Sequence, residues 1–176
     1  MSAHGSAPLR GAGIAGCIPG TMPAPLRFTD RPAFRLAGLR RTHALGDPVA
    51  SIAAQWRDFR DLAALAGLDC SVTYGASCRA DAATDTLEYL TGVELPSFDG
   101  LAEAMGRMLV PAAHYAVFAH EGDPASMGTT WRAAMEQWLP ASPWRDGGTP
   151  DFVVHHEDAD SGDVRTELWL PVVPRR

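Results

Sequence analysis

The sequence is short of several features that would assign it to a common class. Cysteine is scarce: Cys17, Cys70 and Cys78 are odd in number, and no two form a Cys-x-x-Cys pair. That excludes a disulfide framework or a zinc ribbon and suits a reducing cytoplasm, the expected location. No apolar run approaches the ~20 residues of a membrane span. The apolar stretch before Ile14-Ala15-Gly16-Cys17 is also too short for a signal peptide. Positive charge is in deficit, with 15 basic against 21 acidic side chains and a net charge of -6. Binding to a phosphate backbone rests on an excess of Lys and Arg, so neither direct nucleic-acid binding nor membrane association is expected. The run of basic, amphipathic helices that a helix-turn-helix reader needs is also missing.

Chemical signatures are equally sparse. None of the six histidines falls in a His-x-x-x-His or His-Glu-x-x-His pattern. His155 and His156 are adjacent on an expected strand and point to opposite faces, so no metal site is expected. A Gly-x-Ser-x-Gly nucleophile elbow is absent. Gly11-Ala12-Gly13-Ile14-Ala15-Gly16 matches a dinucleotide-binding string, but it follows no strand. No cofactor is expected.

What remains is ordinary globular composition, 46% hydrophobic and 20% charged. Residues 1–30 are rich in Gly, Ala, Pro and Ser without periodicity, which predicts a flexible tail before a domain over 31–176. Within that domain the sequence repeats itself. His43-Ala44-Leu45-Gly46-Asp47-Pro48 with Trp56-Arg57 is answered by His120-Glu121-Gly122-Asp123-Pro124 with Trp131-Arg132. The repeats run over about 33–96 and 108–174. In each, the Asp suits a helix N-cap and the Pro suits the first helical turn. Val49, Ile52, Ala53, Trp56, Phe59 and Ala63 recur at spacings of three and four, predicting an amphipathic helix that Gly67 stops. Met127, Trp131, Ala134, Met135 and Trp138 predict its counterpart, ended by Pro140. Strands are expected at 34–43, 70–79, 86–95, 114–120, 151–157 and 164–173. Residues 97–110 are open between helix and strand.

Each repeat thus reads strand-helix-strand-strand, an α+β architecture. The two would join in one antiparallel sheet with helices on one face and a ligand cleft at the pseudo-twofold seam.

The closing strand carries the most information. Alternation puts Val164, Thr166, Leu168 and Leu170 on one face and Arg165, Glu167 and Trp169 on the other. A carboxylate beside an indole in an apolar run reads as a buried acceptor for a cationic ligand, with aromatic rings supplying cation–π contact. The competing reading puts Glu167 on a solvent face, paired with a neighbouring base. Aligning Thr86-Leu87-Glu88-Tyr89-Leu90 with Thr166-Glu167-Leu168-Trp169-Leu170 places Tyr89 in the same cleft. Tyr74, Tyr115 and Trp131 complete the candidate ligand-binding set. Trp56, Trp138 and Trp144 read as packing.

Several of these segments resemble the GyrI-like (gyrase-inhibitor-like) small-molecule-binding family. They are Tyr74-Gly75, Tyr89-Leu90-Thr91-Gly92-Val93, Tyr115-Ala116-Val117-Phe118-Ala119-His120-Glu121-Gly122, Glu136-Gln137-Trp138-Leu139-Pro140, Gly148-Thr149-Pro150-Asp151-Phe152 and Thr166-Glu167-Leu168-Trp169-Leu170-Pro171-Val172. The resemblance implies a tandem strand-helix-strand-strand fold and a small-molecule ligand between the repeats. In AraC-type and MerR-type regulators the domain follows a DNA-reading module and senses drugs, often hydrophobic cations, through a central acid. Glu167 is the candidate for that acid.

Three functions are therefore carried forward. The first is a stand-alone effector-binding protein, a sensor or sequesterer of a hydrophobic or cationic small molecule. The second, implied by hydrolases in the same family, is an enzyme whose catalytic group is Glu167, raised in pKa by apolar walls and working beside a Trp. The third is a protein-interaction module such as a gyrase inhibitor. A protein partner or a homodimer is left open.

Overall fold

The computed structural model describes residues 23–176. Its strands are β1 (Arg27–Arg31), β2 (Phe34–Ala44), β3 (Val72–Asp81), β4 (Thr86–Leu95), β5 (Gly106–Val110), β6 (Ala113–His120), β7 (Trp144–Asp146), β8 (Phe152–Glu157) and β9 (Val164–Pro174). Helix α1 (Val49–Ala66) lies between β2 and β3. Between β6 and β7 the chain makes a 3-10 turn (Pro124–Ser126), α2 (Met127–Arg132), a π-helical stretch (Ala133–Trp138) and the short α3 (Leu139–Ala141).

The main sheet is antiparallel in the order β1-β6-β9-β8-β3-β4-β2-β5, and β7 extends it along β9. Read from either end, this order exchanges one repeat for the other. It also shows something that the duplicated motif does not. Each repeat is led by a short strand that pairs with the other repeat: β1 with β6, and β5 with β2. Pro32-Ala33 joins β1 to β2, and Pro111-Ala112 joins β5 to β6. Two residues span only about 10 Å, yet β1 stands at one end of the strand order and β2 next to the other end. The sheet must therefore curl until its edges approach. Ring contacts across the hollow agree: Phe34 on β2 lies 5.3 Å from Phe152 on β8, although β4 and β3 separate those strands.

Curling is easiest where no side chains intervene. Gly38 pairs with Gly92 on one side and Gly106 on the other, a row of glycines across three strands. A Cβ on Gly38 would sit 2.0 Å from the Thr91 carbonyl oxygen, and one on Gly92 would sit 2.3 Å from that of Ala37. Only hydrogen fits between these backbones.

Both helical segments pack on the outer face. There α1 buries Phe59 and Ala63 against Val93, and the second helical segment buries Ala134, Trp138 and Leu139 against Phe118, Leu168 and Leu170. Fully burying a residue such as Phe59 contributes roughly 1.5–3 kcal/mol. The inner face holds a separate cluster built from Phe34, Leu36, Tyr74, Leu90, Tyr115, Phe152 and Val154.

Some local expectations change. Gly67 does close α1, with φ 64° and its N–H donating to the Ala63 and Ala64 carbonyls. Asp123 caps its helical segment by accepting from the Ala125 N–H. Asp47 does not cap α1, which starts from Pro48 with no side-chain cap. Pro140 lies inside α3, one residue before the helical segment ends at Ala141. Strand β1 (Arg27–Arg31) begins inside the stretch 1–30 read as tail; residues 1–22 lie outside the described residues. The open segment 97–110 ends in strand β5.

Candidate functional site

Alternation along β9 works as the sequence predicts. Leu168 and Leu170 face the helices, while Glu167 and Trp169 face the hollow. Glu167 is only 2% exposed. Its Oε1 accepts from Arg27 at 3.1 Å, and its Oε2 accepts from Arg27 at 2.8 Å and from the Trp169 indole N–H at 3.1 Å. Burial alone would push this carboxyl up. The fork of the Arg27 guanidinium and the indole bond outweigh that and hold it below the ordinary carboxylate range. The raised pKa expected for a catalytic Glu167 is thus reversed, because Arg27 was not counted.

Beside this pair is an aromatic cage. Phe152 stacks on Trp169 with ring centroids 5.5 Å apart, and Tyr115 meets both rings edge-on. Phe34 and Tyr74 close the other side. Within the cage lies the guanidinium of Arg31, 3.8 Å from the centre of the Phe34 ring, 5.3 Å from those of Tyr74 and Trp169, and 5.4 Å from that of Phe152. It donates to the Tyr74 hydroxyl at 3.0 Å and to Glu94 at 2.6 Å. The Tyr115 hydroxyl is fully buried, beside the equally buried Thr149 hydroxyl.

Of the six predicted binding residues, the hollow brings together Glu167, Trp169, Tyr74 and Tyr115. Tyr89 and Trp131 belong to the opposite face. Tyr89 is buried under α1, its hydroxyl so close over Gly75 that a Cβ there would sit 1.9 Å away. The structure gives the reason. Gly38 pairs with Gly92 and Gly106 where Val117 pairs with Trp169 and Arg27. The counterpart of Trp169 is therefore Gly92, three residues beyond Tyr89, and that of Glu167 is Leu90. An odd-numbered slip sends a side chain to the other face of a strand. Trp131 is 38% exposed and donates to Asp151, which Ser77 also approaches. His155 and His156 do face opposite ways. His155 is pushed down to about 4 by burial beside Trp56, and no metal-binding cluster occurs among the described residues.

Sequence reasoning missed Arg27, Arg31, Phe34, Phe152 and Glu94. Arg27 fell in the supposed tail, and Arg31 at the start of the domain, ahead of the first expected strand at 34–43. Their signal was a short alternation, in which Arg27, Thr29 and Arg31 take one face of β1 and Phe28 and Asp30 take the other.

The curled, pseudo-symmetric sheet thus places an aromatic cluster beside a buried, arginine-paired acid. The GyrI-like small molecule binding domain matches residues 24–173, and the chain belongs to that family. No curated protein matches it. Solved structures share the fold. SAV2435 bound to tetraphenylphosphonium aligns with a TM-score of 0.66 at 16% identity, over 84% of this chain and 93% of the other. A putative transcription regulation protein from Staphylococcus aureus aligns at 0.60 and 18% identity, over 83% and 96%. The EcmrR C-terminal domain aligns at 0.59 and 13% identity, over 85% and 97%. Among the described residues, no helix is long and apolar enough to cross a membrane.

Proposed function

We propose that this protein binds hydrophobic organic cations in the hollow between its repeats, as a sensor or sequesterer. The observation that carries this reading is the Arg31 guanidinium surrounded by Phe34, Tyr74, Phe152 and Trp169. A cage that holds one planar cation against π-faces has the chemistry to hold another. Each desolvated cation–π contact contributes about 2 kcal/mol, and Glu167 supplies a buried counter-charge. The tetraphenylphosphonium bound by SAV2435 is a ligand of this class. The hydrolase reading is less favoured, because both Glu167 oxygens are engaged by strong donors and its carboxyl is held low.

Thermal unfolding with tetraphenylphosphonium and with neutral triphenylphosphine oxide tests the reading. A cation at ~100 times its dissociation constant stabilises by about 2.7 kcal/mol. We expect the cation to raise Tm in the wild type and far less in Trp169→Ala or Glu167→Gln, with the neutral compound weaker throughout. Equal shifts from both compounds, or shifts indifferent to these substitutions, would reject it.

A further inference from the structure

We propose that β1 is a built-in competitor for this site: Arg31 holds the cage and Arg27 holds the buried carboxylate, and a ligand enters only by displacing them. This rests on the reading of the hollow as the binding site. Both arginines project from one face of one short strand, and each fills a position suited to a ligand's cationic centre. Arg31 is more than an incidental surface residue. Its side chain is 17% exposed, against 42% for Arg27, and it touches four rings, a phenol and a carboxylate.

The strand bearing these residues is placed to move. Among the described residues, β1 is the edge of the sheet and pairs only with β6, over five residue positions. On its outer face Phe28 stacks on Trp144 at 5.1 Å, yet remains 42% exposed. Beyond Arg31, Pro32-Ala33 tethers the strand to β2, so a displaced β1 stays within reach and rebinds when the ligand leaves. The second repeat supplies an internal control. Gly106 stands where Arg27 does, and the counterpart of Arg31 is Val110, fully buried in the inner cluster. The leading strand of repeat two therefore completes the core, whereas that of repeat one covers a charge and fills a cage. Arg27 and Arg31 thus set the threshold for entry. Weak or strongly hydrated cations fail to displace them, and large aromatic cations succeed.

The test pairs tetraphenylphosphonium titration, read by tryptophan fluorescence, with hydrogen exchange on the full chain. The proteins are wild type, Arg31→Ala, Trp169→Ala and the double variant. Removing a competing cation–π contact should tighten binding about tenfold in Arg31→Ala. In the wild type, which needs no substitution to fold, saturation should speed exchange across Arg27–Arg31 and their β6 partners. If Arg31→Ala binds equally or more weakly, or wild-type β1 gains protection on saturation, Arg31 is part of the ligand's bed and the competitor role is overturned. If Arg31→Ala tightens nothing while Trp169→Ala still abolishes binding, only the competitor role fails. If Trp169→Ala binds like its parent in both backgrounds, or if no protein binds, the binding-site reading itself falls and the competitor role with it.

Discussion

At the scale of single residues, the hollow works by charge balance. A carboxylate as buried as Glu167 would ordinarily be neutral or destabilising, but Arg27 makes it an anion with fixed partners. Its folded pKa lies below the unfolded one, so the pair stabilises the fold above the ordinary carboxylate range. That stability is lost as pH falls through the depressed value. At pH 7, Arg27→Ala should cost about 3 kcal/mol, since it strands a buried charge. Glu167→Gln should cost about 1–2 kcal/mol, because the 42%-exposed Arg27 can turn to water. Urea midpoints at pH 7, 5 and 3 check this. The penalty of Glu167→Gln should shrink on acidification, and a penalty unchanged at pH 3 would mean that the carboxylate is not held charged. Glu167 and Trp169 were legible from the sequence because period-two alternation is a local rule. Arg27 was not, since its importance comes from a pairing 140 positions away in the chain.

Elements show the same division. The six long strands and both helical segments follow from periodicity and turn chemistry, and their observed limits differ from the predicted ones by a residue or two. The short strands β1, β5 and β7 were not legible. Three to five residues carry too little periodicity, and such strands exist only because a partner edge waits for them. Tyr89 illustrates a different failure: similar wording in two strands aligned letters but not backbones. The glycine row gives the element-scale prediction. Gly38→Ala forces a methyl against the Thr91 carbonyl oxygen and should destabilise by about 3 kcal/mol or more. Gly128→Ala, which meets nothing within 4 Å, should be nearly neutral. Comparable melting temperatures for the two variants would show that the sheet does not need its close approach.

For the whole molecule, the reciprocal pairing of β1 and β5 makes the two repeats inseparable. Residues 23–96 alone would lack the partner for β1, and 97–176 alone would lack the partner for β5. Expressed singly, each half should be unfolded by circular dichroism. Co-expressed, the two should purify as a folded one-to-one complex. A half that folds cooperatively alone would contradict this. The duplication that predicted the fold class was visible in the sequence, but the exchange that binds the halves was not, because it leaves no motif.

That exchange has a consequence for how such a pocket arises. Two identical single-repeat chains, each lending its leading strand to the other, would form a closed twofold dimer with every strand paired as here. Such a dimer is compelled to be symmetric. An acid at the position of Glu167 would appear twice, and so would the indole beside it. Joining the halves in one chain removes that obligation. One side could then become Glu167, Trp169, Arg27 and Arg31, while the other became Leu90, Gly92, Gly106 and Val110. A single chain can thus carry a polarised surface, with one charged pole, where a symmetric dimer would carry a doubled one.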